Sequence, residues 1–372
     1  MLTDSEAAVA REVLIHGPLS RSALATRLHL SPASLTRLTR PLLDAGLLVE
    51  RDDDGGGPGS VGRPSRPLDL SPTAGTFVGV KLTGERLYLV TTDMRAQVIA
   101  AHESALADTS PDAVATTIAG LVEAVSGVRG VGVALGGHVQ GGVALDAPFL
   151  EWRNVPFAEM LAERLGIPVA LENDVVALTD AERWFGVGRG IPGFAVVTIG
   201  AGVGLGLVVE GRTVRSPDAA HGTVGHLPLL ADGPTCPQGH RGCADALLTT
   251  GALTARVSRD LGRTGGADDV FSLARDGEPT ARAAIDDAGE ALGILCALAA
   301  NLSLQADIVL AGEATAIVDL ARDRVDEALA RVRPGGSTPV RVHVDRAGFS
   351  AWARGAAAVA IQAEMGRIPQ TR

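Results

Sequence analysis

The spacing of apolar residues changes character along the chain, and the changes divide it. Between residues 18 and 70, leucines recur at helical intervals. Leu24 and Leu28 share one side of a short helix that Ser20 can cap. Leu35, Leu38 and Leu42 line the next helix, with Ser31 as its cap and Pro32 at its first position. That arrangement turns Ser34, Arg37 and Arg40 outward. "DAGLLVERDDDGGGPGSVGRPSRPLDL" then predicts two short strands around a glycine-rich loop, with Leu68 and Leu70 alternating with polar residues. Two helices followed by such a hairpin make the pattern of a winged helix-turn-helix.

From Thr76 strands and helices alternate. "TFVGVKLTGERLYLVTTDM" predicts two strands turning at Gly84-Glu85, "AVATTIAGLVEAVSG" an amphipathic helix, and "VRGVGVALGG" a buried strand ending in glycines. "PFAEMLAERLG", "IPVALEND" and "VVALTDAERWFG" predict helix, strand and helix, and "GFAVVTIGAGVGLGLVVEGR" a glycine-interrupted strand pair. The stretch from Asp245 to Asn301 is mostly helical, "DIVLAGEA" and "PVRVHVDR" are late strands, and "SAWARGAAAVAIQAEM" is a closing helix. This order predicts an α/β fold whose strands are covered by helices. A boundary is expected near Ser71-Pro72, with a head of residues 1–72 and a body of residues 73–372.

Charge sharpens the reading of the head. The 372-residue chain carries a formal net charge of −10, which argues against a general nucleic-acid coating protein. Yet no Asp or Glu occurs between Val13 and Leu43, where Arg21, Arg27, Arg37 and Arg40 do. A basic stretch in an acidic chain is a footprint for double-stranded DNA. The candidate contacts are Arg21, Ser31, Ser34, Arg37 and Arg40, with Arg63 of the wing directed to the minor groove. One short helix reads few base pairs, so a homodimer or higher homo-oligomer on a two-fold operator is expected. A small helical bundle that binds another protein is the competing reading.

Other classes are excluded by composition. The N-terminus is polar and acidic, unlike a secretory signal. The longest apolar stretch, Ala291–Leu304, contains Asn301 and is too short to span a bilayer. Three cysteines imply no disulfide framework and fit a reducing cytoplasm. Cys296, inside an apolar helix, is expected in the core.

Seven motifs appear in order: "GVALGGHV" (132–139), "APFLEWRNVPF" (147–157), "LENDVVALTDAERWFGVGRG" (171–190), "TIGAGVGLGLVVEGR" (198–212), "GTVGH" (222–226), "CPQGHRGCAD" (236–245) and "DIVLAG" (307–312). Together they resemble the ROK family, which groups sugar kinases with sugar-responsive transcriptional repressors, over nearly the whole chain. The resemblance implies an actin-like body of two ribonuclease-H-type lobes around a sugar cleft, with the C-terminal helix returning to the first lobe. In the family, the head belongs to the repressor branch.

What the resemblance implies for the sites is mixed. Sugar holders would be Asn173, Asp174, His226 and Asp245, the last an Asp where Glu is usual, with Gly137 and Asn154 bordering the cleft. Thr223 stands where a sugar-binding Glu is expected, which leaves open a weakened or decayed pocket. Asn173 and Asp174 would come from one side of the cleft and His226 and Asp245 from the other. Asp174 matches the kinase base, although an Asp there can equally cap the following helix.

The phosphate side departs further. The family's Asp-x-Gly-Gly-Thr is Lys81-Leu82-Thr83-Gly84-Glu85, a lysine cannot hold magnesium, and Glu85 would repel a nucleotide. Ala201 replaces a hydroxyl residue among Gly200, Gly202, Gly204 and Gly206, and a glycine run is reduced to Ala311-Gly312-Glu313. These departures predict a regulator with no catalytic residues and no ATP, against the alternative of an active sugar kinase. The family's zinc motif, Gly-His then Cys-x-Cys-Gly-x-x-Gly-Cys, is represented by His226, Cys236, Gln238 and Cys243. Zinc is expected only with a substitute fourth ligand such as His240; otherwise the cysteines are two buried thiols.

Overall fold

In the computed structural model, which describes residues 3–51, 66–72, 74–216, 218, 222–262 and 265–366, the head begins one helix earlier than the leucine spacing predicts. Helix α1 (Asp4–His16) starts at Thr3, whose hydroxyl accepts the Glu6 amide while the Glu6 carboxylate accepts the Thr3 amide. It buries Val9, Ala10, Val13 and Leu14. Helices α2 (Arg21–Arg27) and α3 (Pro32–Asp44) begin at the expected caps, Ser20 and Ser31. Leu24, Leu35, Leu38 and Leu42 are buried as the pattern requires. Strands β1 (Leu48–Glu50) and β2 (Leu68–Leu70) pair antiparallel, and Leu19 forms an isolated antiparallel bridge to Leu68. Arg63 and the rest of the wing tip lie outside the described residues.

Two of the four arginines of the basic stretch, Arg21 and Arg27, hold the head together. Arg21 pairs with Glu50 at 2.6 Å and Arg27 with Glu12 at 2.6 Å. Beneath them, Asp69 of β2 is fully buried. Its carboxylate meets Arg51 at 2.6 Å and accepts from Arg95, which also donates to the carbonyls of Val13 and Leu14. Arg95 sits in a body turn, so the head is tied to it by one shared buried charge.

The described residues divide into two compact units. The first comprises Met1–Leu135, Gln140–Glu172 and Ala353–Arg372; the second comprises Gly136–Val139 and Asn173–Trp352. Body strands of the first unit are β3 (Thr76–Leu82), β4 (Arg86–Thr92), β5 (Val98–Ala105) and, after α4 (Pro111–Glu123), β6 (Val128–Leu135). They are followed by β7 (His138–Gln140), β8 (Val143–Ala147), β9 (Trp152–Val155), α5 (Phe157–Leu165) and β10 (Val169–Asn173). The main sheet runs β10-β6-β3-β4-β5. Strands β3 to β5 are an antiparallel meander, and β6 joins parallel to β3. Strand β5 is exposed nearly throughout, so it has no alternation to reveal it in the sequence.

The second unit repeats that plan. Helix α6 (Asp174–Phe185) leads to β11 (Phe194–Ile199), β12 (Val203–Val209) and β13 (Arg212–Thr213), again an antiparallel meander. Helices α7 (Ala244–Leu248), α8 (Thr250–Leu261), α9 (Ala267–Arg275) and α10 (Pro279–Ser303) follow. Then come β14 (Asp307–Ala311), α11 (Ala316–Leu320), α12 (Arg322–Val332) and β15 (Arg341–Val344). The sheet order is β13-β12-β11-β14-β15, with β14 parallel to β11 and β15 parallel to β14. The core of this unit lies between the sheet and α10, which buries Ile285, Leu292, Leu295 and Cys296. Burial pushes the Cys296 thiol up to about 12, as an inert core residue requires.

The last helix, α13 (Phe349–Gly366), continues into the first unit. A methyl group on Gly79 would come within 2.0 Å of the Ala353 carbonyl, and one on Gly132 within 1.8 Å of that of Ala356. Glycine on the strands and alanine on the helix are what permit this close packing. The paired sheets with helical cover are the expected α/β architecture.

Candidate functional site

Six of the seven predicted effector residues, all but Asn154, sit in the second unit. Asn173 caps α6: its side-chain oxygen accepts from the amides of Val175 and Val176, and its amide donates to the Gly137 carbonyl at 2.9 Å. Asn173 is therefore the cap, and Asp174, the first helical residue, is only half-buried. Gly137 is at φ 134°, a backbone state that favours glycine.

The glycines of β12 have a reason other than a tight turn. A methyl group on Gly204 would lie 2.7 Å from Val175, and one on Gly206 would lie 1.9 Å from the Thr179 hydroxyl. The glycines let α6 lie directly on the strand. As a result Asn173 and Asp174 belong to the same unit as His226 and Asp245, contrary to the expectation that the two pairs come from opposite sides of a cleft. Asn154 is elsewhere, exposed at φ 53° at the end of β9 in the first unit. Thr223 is exposed on the short 3-10 turn Thr223–His226.

That turn meets α7. His226 Nδ1 is 3.8 Å from an Asp245 carboxylate oxygen. The other oxygen, Oδ1, is buried with no hydrogen-bond partner among the described residues. Burial pushes the Asp245 carboxyl above its ordinary value, against the pull of His226 and the Val203 amide. A methyl group on Gly225 would lie 2.4 Å from this carboxylate, so only glycine fits beside it. An under-satisfied acid next to an imidazole is suited to accept from adjacent hydroxyl groups of a bound molecule.

The cysteines converge on the same turn. One ligand atom each from His226, Cys236 and Cys243 lies within 4.8 Å of the others, a spacing that fits a single thiolate-binding ion. Cys236 is favoured as thiolate: burial opposes this, but the amides of His240 and Gln238 and the His240 side chain lower its pKa to about 7. Cys243 is raised by burial and by its neighbour Cys236. Gln238 is exposed.

The segments that the resemblance matches to phosphate motifs make contacts with the protein's own groups. The Thr83 hydroxyl donates to the Arg86 carbonyl at 3.0 Å and accepts from the Arg86 amide at 2.9 Å, so it organises its own turn. Lys81 is 6 % exposed. In the second unit, a methyl group on Gly200 would lie 1.6 Å from Glu313 Oε2. The Glu313 carboxylate thus rests on the glycine loop, a relation that its residue type alone does not reveal.

On the candidate DNA face, Arg37 and Arg40 are exposed on α3, Arg40 lying 3.8 Å from Asp44. Ser31 and Ser34 share a hydrogen bond of 2.9 Å at the helix start. Arg21 faces Glu50 of the hairpin, as described above.

Comparison with known proteins identifies the family. The pattern of the ROK family matches residues 77–363. The chain is 27% identical over 332 residues to the N-acetylglucosamine repressor of Escherichia coli O157:H7, covering 84% of this chain and 80% of that one. A crystal structure of a ROK family transcriptional regulator, a homolog of the E. coli MLC protein, superposes with a TM-score of 0.82 at 22% identity, over 98% of this chain and 96% of that one. A ROK family glucokinase from Streptomyces griseus, in complex with glucose and AMPPNP, reaches 0.66 at 25% identity, over 77% of this chain and all 100% of the kinase. The kinase matches the chain without a fifth of its length, whereas the regulator spans it almost entirely. With its motifs, its twice-used sheet and the match over residues 77–363, the chain belongs to the ROK family.

Proposed function

We propose that this protein is a sugar-responsive, DNA-binding transcriptional regulator acting as a repressor, with residues 1–72 reading operator DNA and residues 73–372 sensing the effector. It works as a cytoplasmic homodimer or higher homo-oligomer. The observation that carries this reading is a helix-turn-helix with Arg37 and Arg40 exposed on α3, in the same chain as a half-buried Asp245 beside His226, one of whose carboxylate oxygens is buried without a hydrogen-bond partner among the described residues. Among the described residues no helix is long and apolar enough to cross a membrane.

The sugar is held by Asp174, His226 and Asp245, with Asn173 and Gly137 fixing the loop behind them. Zinc at His226, Cys236 and Cys243 braces this loop and orients His226. Kinase activity is absent in this reading, because Lys81 and Glu85 replace the magnesium-handling residues and Glu313 rests where phosphate oxygens would approach Gly200. A sugar-dependent ATP consumption that disappears in Asp174→Asn would overturn it.

The direct test is selection of bound duplexes by the full-length protein, followed by titration with sugars and sugar phosphates. One preferred two-fold sequence is expected, with Arg37→Ala weakening it by about 1–3 kcal/mol. One sugar class should shift operator affinity by roughly 5- to 150-fold, and the operator should shift sugar affinity by the same factor. Equal binding to all duplexes would defeat the DNA reading. Preferred binding that no sugar alters would defeat only the sensor.

A further inference from the structure

We infer that His240 is the fourth ligand of the metal site, replacing the cysteine whose position Gln238 occupies, so that the ion is held by His226, His240, Cys236 and Cys243. The inference rests on the zinc reading above and specifies its chemistry. It is carried by distances. A tetrahedral zinc ion with bonds of about 2.3 Å to sulfur and about 2.05 Å to nitrogen holds those two ligand atoms about 3.6 Å apart. Cys236 Sγ lies 3.6 Å from His240 Nδ1 and 4.0 Å from His226 Nδ1. His240 therefore stands at the tetrahedral edge length from Cys236, and His226 is within half an ångström of it. His226, Cys236 and Cys243 already lie within 4.8 Å of one another, and His240 completes the set by turning its ring towards them.

The backbone explains why residue 240 can do this and residue 238 cannot. The Cys236 amide donates to the His240 carbonyl at 2.9 Å, and the Gly239 amide donates to the Cys236 carbonyl at 2.9 Å. Thr235 and Arg241 bridge antiparallel outside that pair. The chain thus closes a tight turn with Gly239 at φ 91°, leaving Gln238 exposed at its tip and returning His240 opposite Cys236. The two imidazoles approach with ring centroids 4.5 Å apart and planes 37° from parallel, so their nitrogens converge on Cys236. Two thiolates and two imidazoles form a closed structural set that suits zinc. Asp245, whose nearer oxygen is 3.8 Å from His226 Nδ1, is the rival fourth ligand.

The test uses full-length protein freed of metal with a chelator and titrated with cobalt(II), then with zinc as competitor. The wild type should bind one cobalt per chain with the intense visible bands of a tetrahedral thiolate site. His240→Ala should weaken binding by more than the roughly 10- to 100-fold cost of losing an outer hydrogen-bond partner, and should lose those bands. His240→Cys, which keeps a ligand at the position opposite Cys236, should retain binding, with a stronger sulfur charge-transfer band from a third thiolate. Far-ultraviolet circular dichroism and thermal midpoints of the metal-free forms control for misfolding. An unchanged spectrum and affinity in His240→Ala would overturn the inference, and their loss in Asp245→Asn would identify the rival ligand. A His240→Cys variant that bound as weakly as His240→Ala would mean that residue 240 shapes the loop without touching the ion. Binding of neither metal by the wild type would instead refute the zinc reading itself.

Discussion

Asp180 and Asp245 lie in the same compact unit and are treated oppositely by it. Asp180, in the second turn of α6, is fully buried and surrounded by donors. Arg183 donates to it at 3.0 Å, Arg215 at 2.6 Å and Thr213 at 2.6 Å, which ties the helix to β13 and the segment after it. Asp245, in the first turn of α7, faces one imidazole at 3.8 Å and has a buried oxygen with no partner among the described residues. A satisfied buried carboxylate organises a fold; an unsatisfied one lowers stability and is kept where a ligand completes it.

Replacing Asp180 should produce the largest change in stability. Asp180→Asn removes the charge that Arg183 and Arg215 share, and should lower unfolding free energy by about 3 kcal/mol, read from urea denaturation. Sugar affinity of the folded variant should stay near that of the wild type. A large loss of affinity with intact stability would erase the distinction between the two acids.

Asp245→Asn should act the other way. The effector-dependent gain, about 2.7 kcal/mol at a hundredfold excess over Kd, should vanish. The ligand-free protein should become slightly more stable, because the desolvation penalty on the half-buried carboxylate is gone. Thermal midpoints with and without sugar measure both effects, and a stability loss in the ligand-free variant would contradict the comparison.

The smallest effect is in pH dependence. Asp245 is raised in the folded state, so its penalty develops as pH rises from the unfolded value to the higher folded one and is relieved on acidification. Asp307 is lowered, chiefly by its hydrogen bond to Arg341 and also by His343. Its contribution is present above the unfolded value and is lost as pH falls through the lower folded one. Mild acidification should therefore narrow the stability difference between wild type and Asp245→Asn. Stronger acid should narrow the difference between wild type and Asp307→Asn. A difference independent of pH in either case would remove the assigned cause.

Much of this was legible locally. Ser20 and Ser31 cap their helices, and Leu35, Leu38 and Leu42 are buried, because caps and period depend on residues a few positions apart. Helix α1 escaped because it follows a polar, acidic start, and its burial of Val9, Ala10, Val13 and Leu14 shows no leucine spacing. Gly204 and Gly206 were legible as glycines but not as the floor beneath α6, since that depends on Val175 and Thr179 arriving from another element. The zinc-motif residues were legible through the family pattern, whereas the position of His240 Nδ1 against Cys236 required the closed turn.

The sequence by itself determined periods, caps, the charge contrast of the head and the order of motifs, because these follow from neighbouring residues and from composition. Tertiary structure alone decided which groups share an environment. It brought Asn173 and Asp174 into the unit of His226 and Asp245, set the Glu313 carboxylate against Gly200, and buried Asp69 between Arg51 and Arg95. Whether a carboxylate is satisfied depends on donors that lie far off in sequence, such as Thr213 and Arg215 for Asp180, so only the folded chain can separate Asp180 from Asp245.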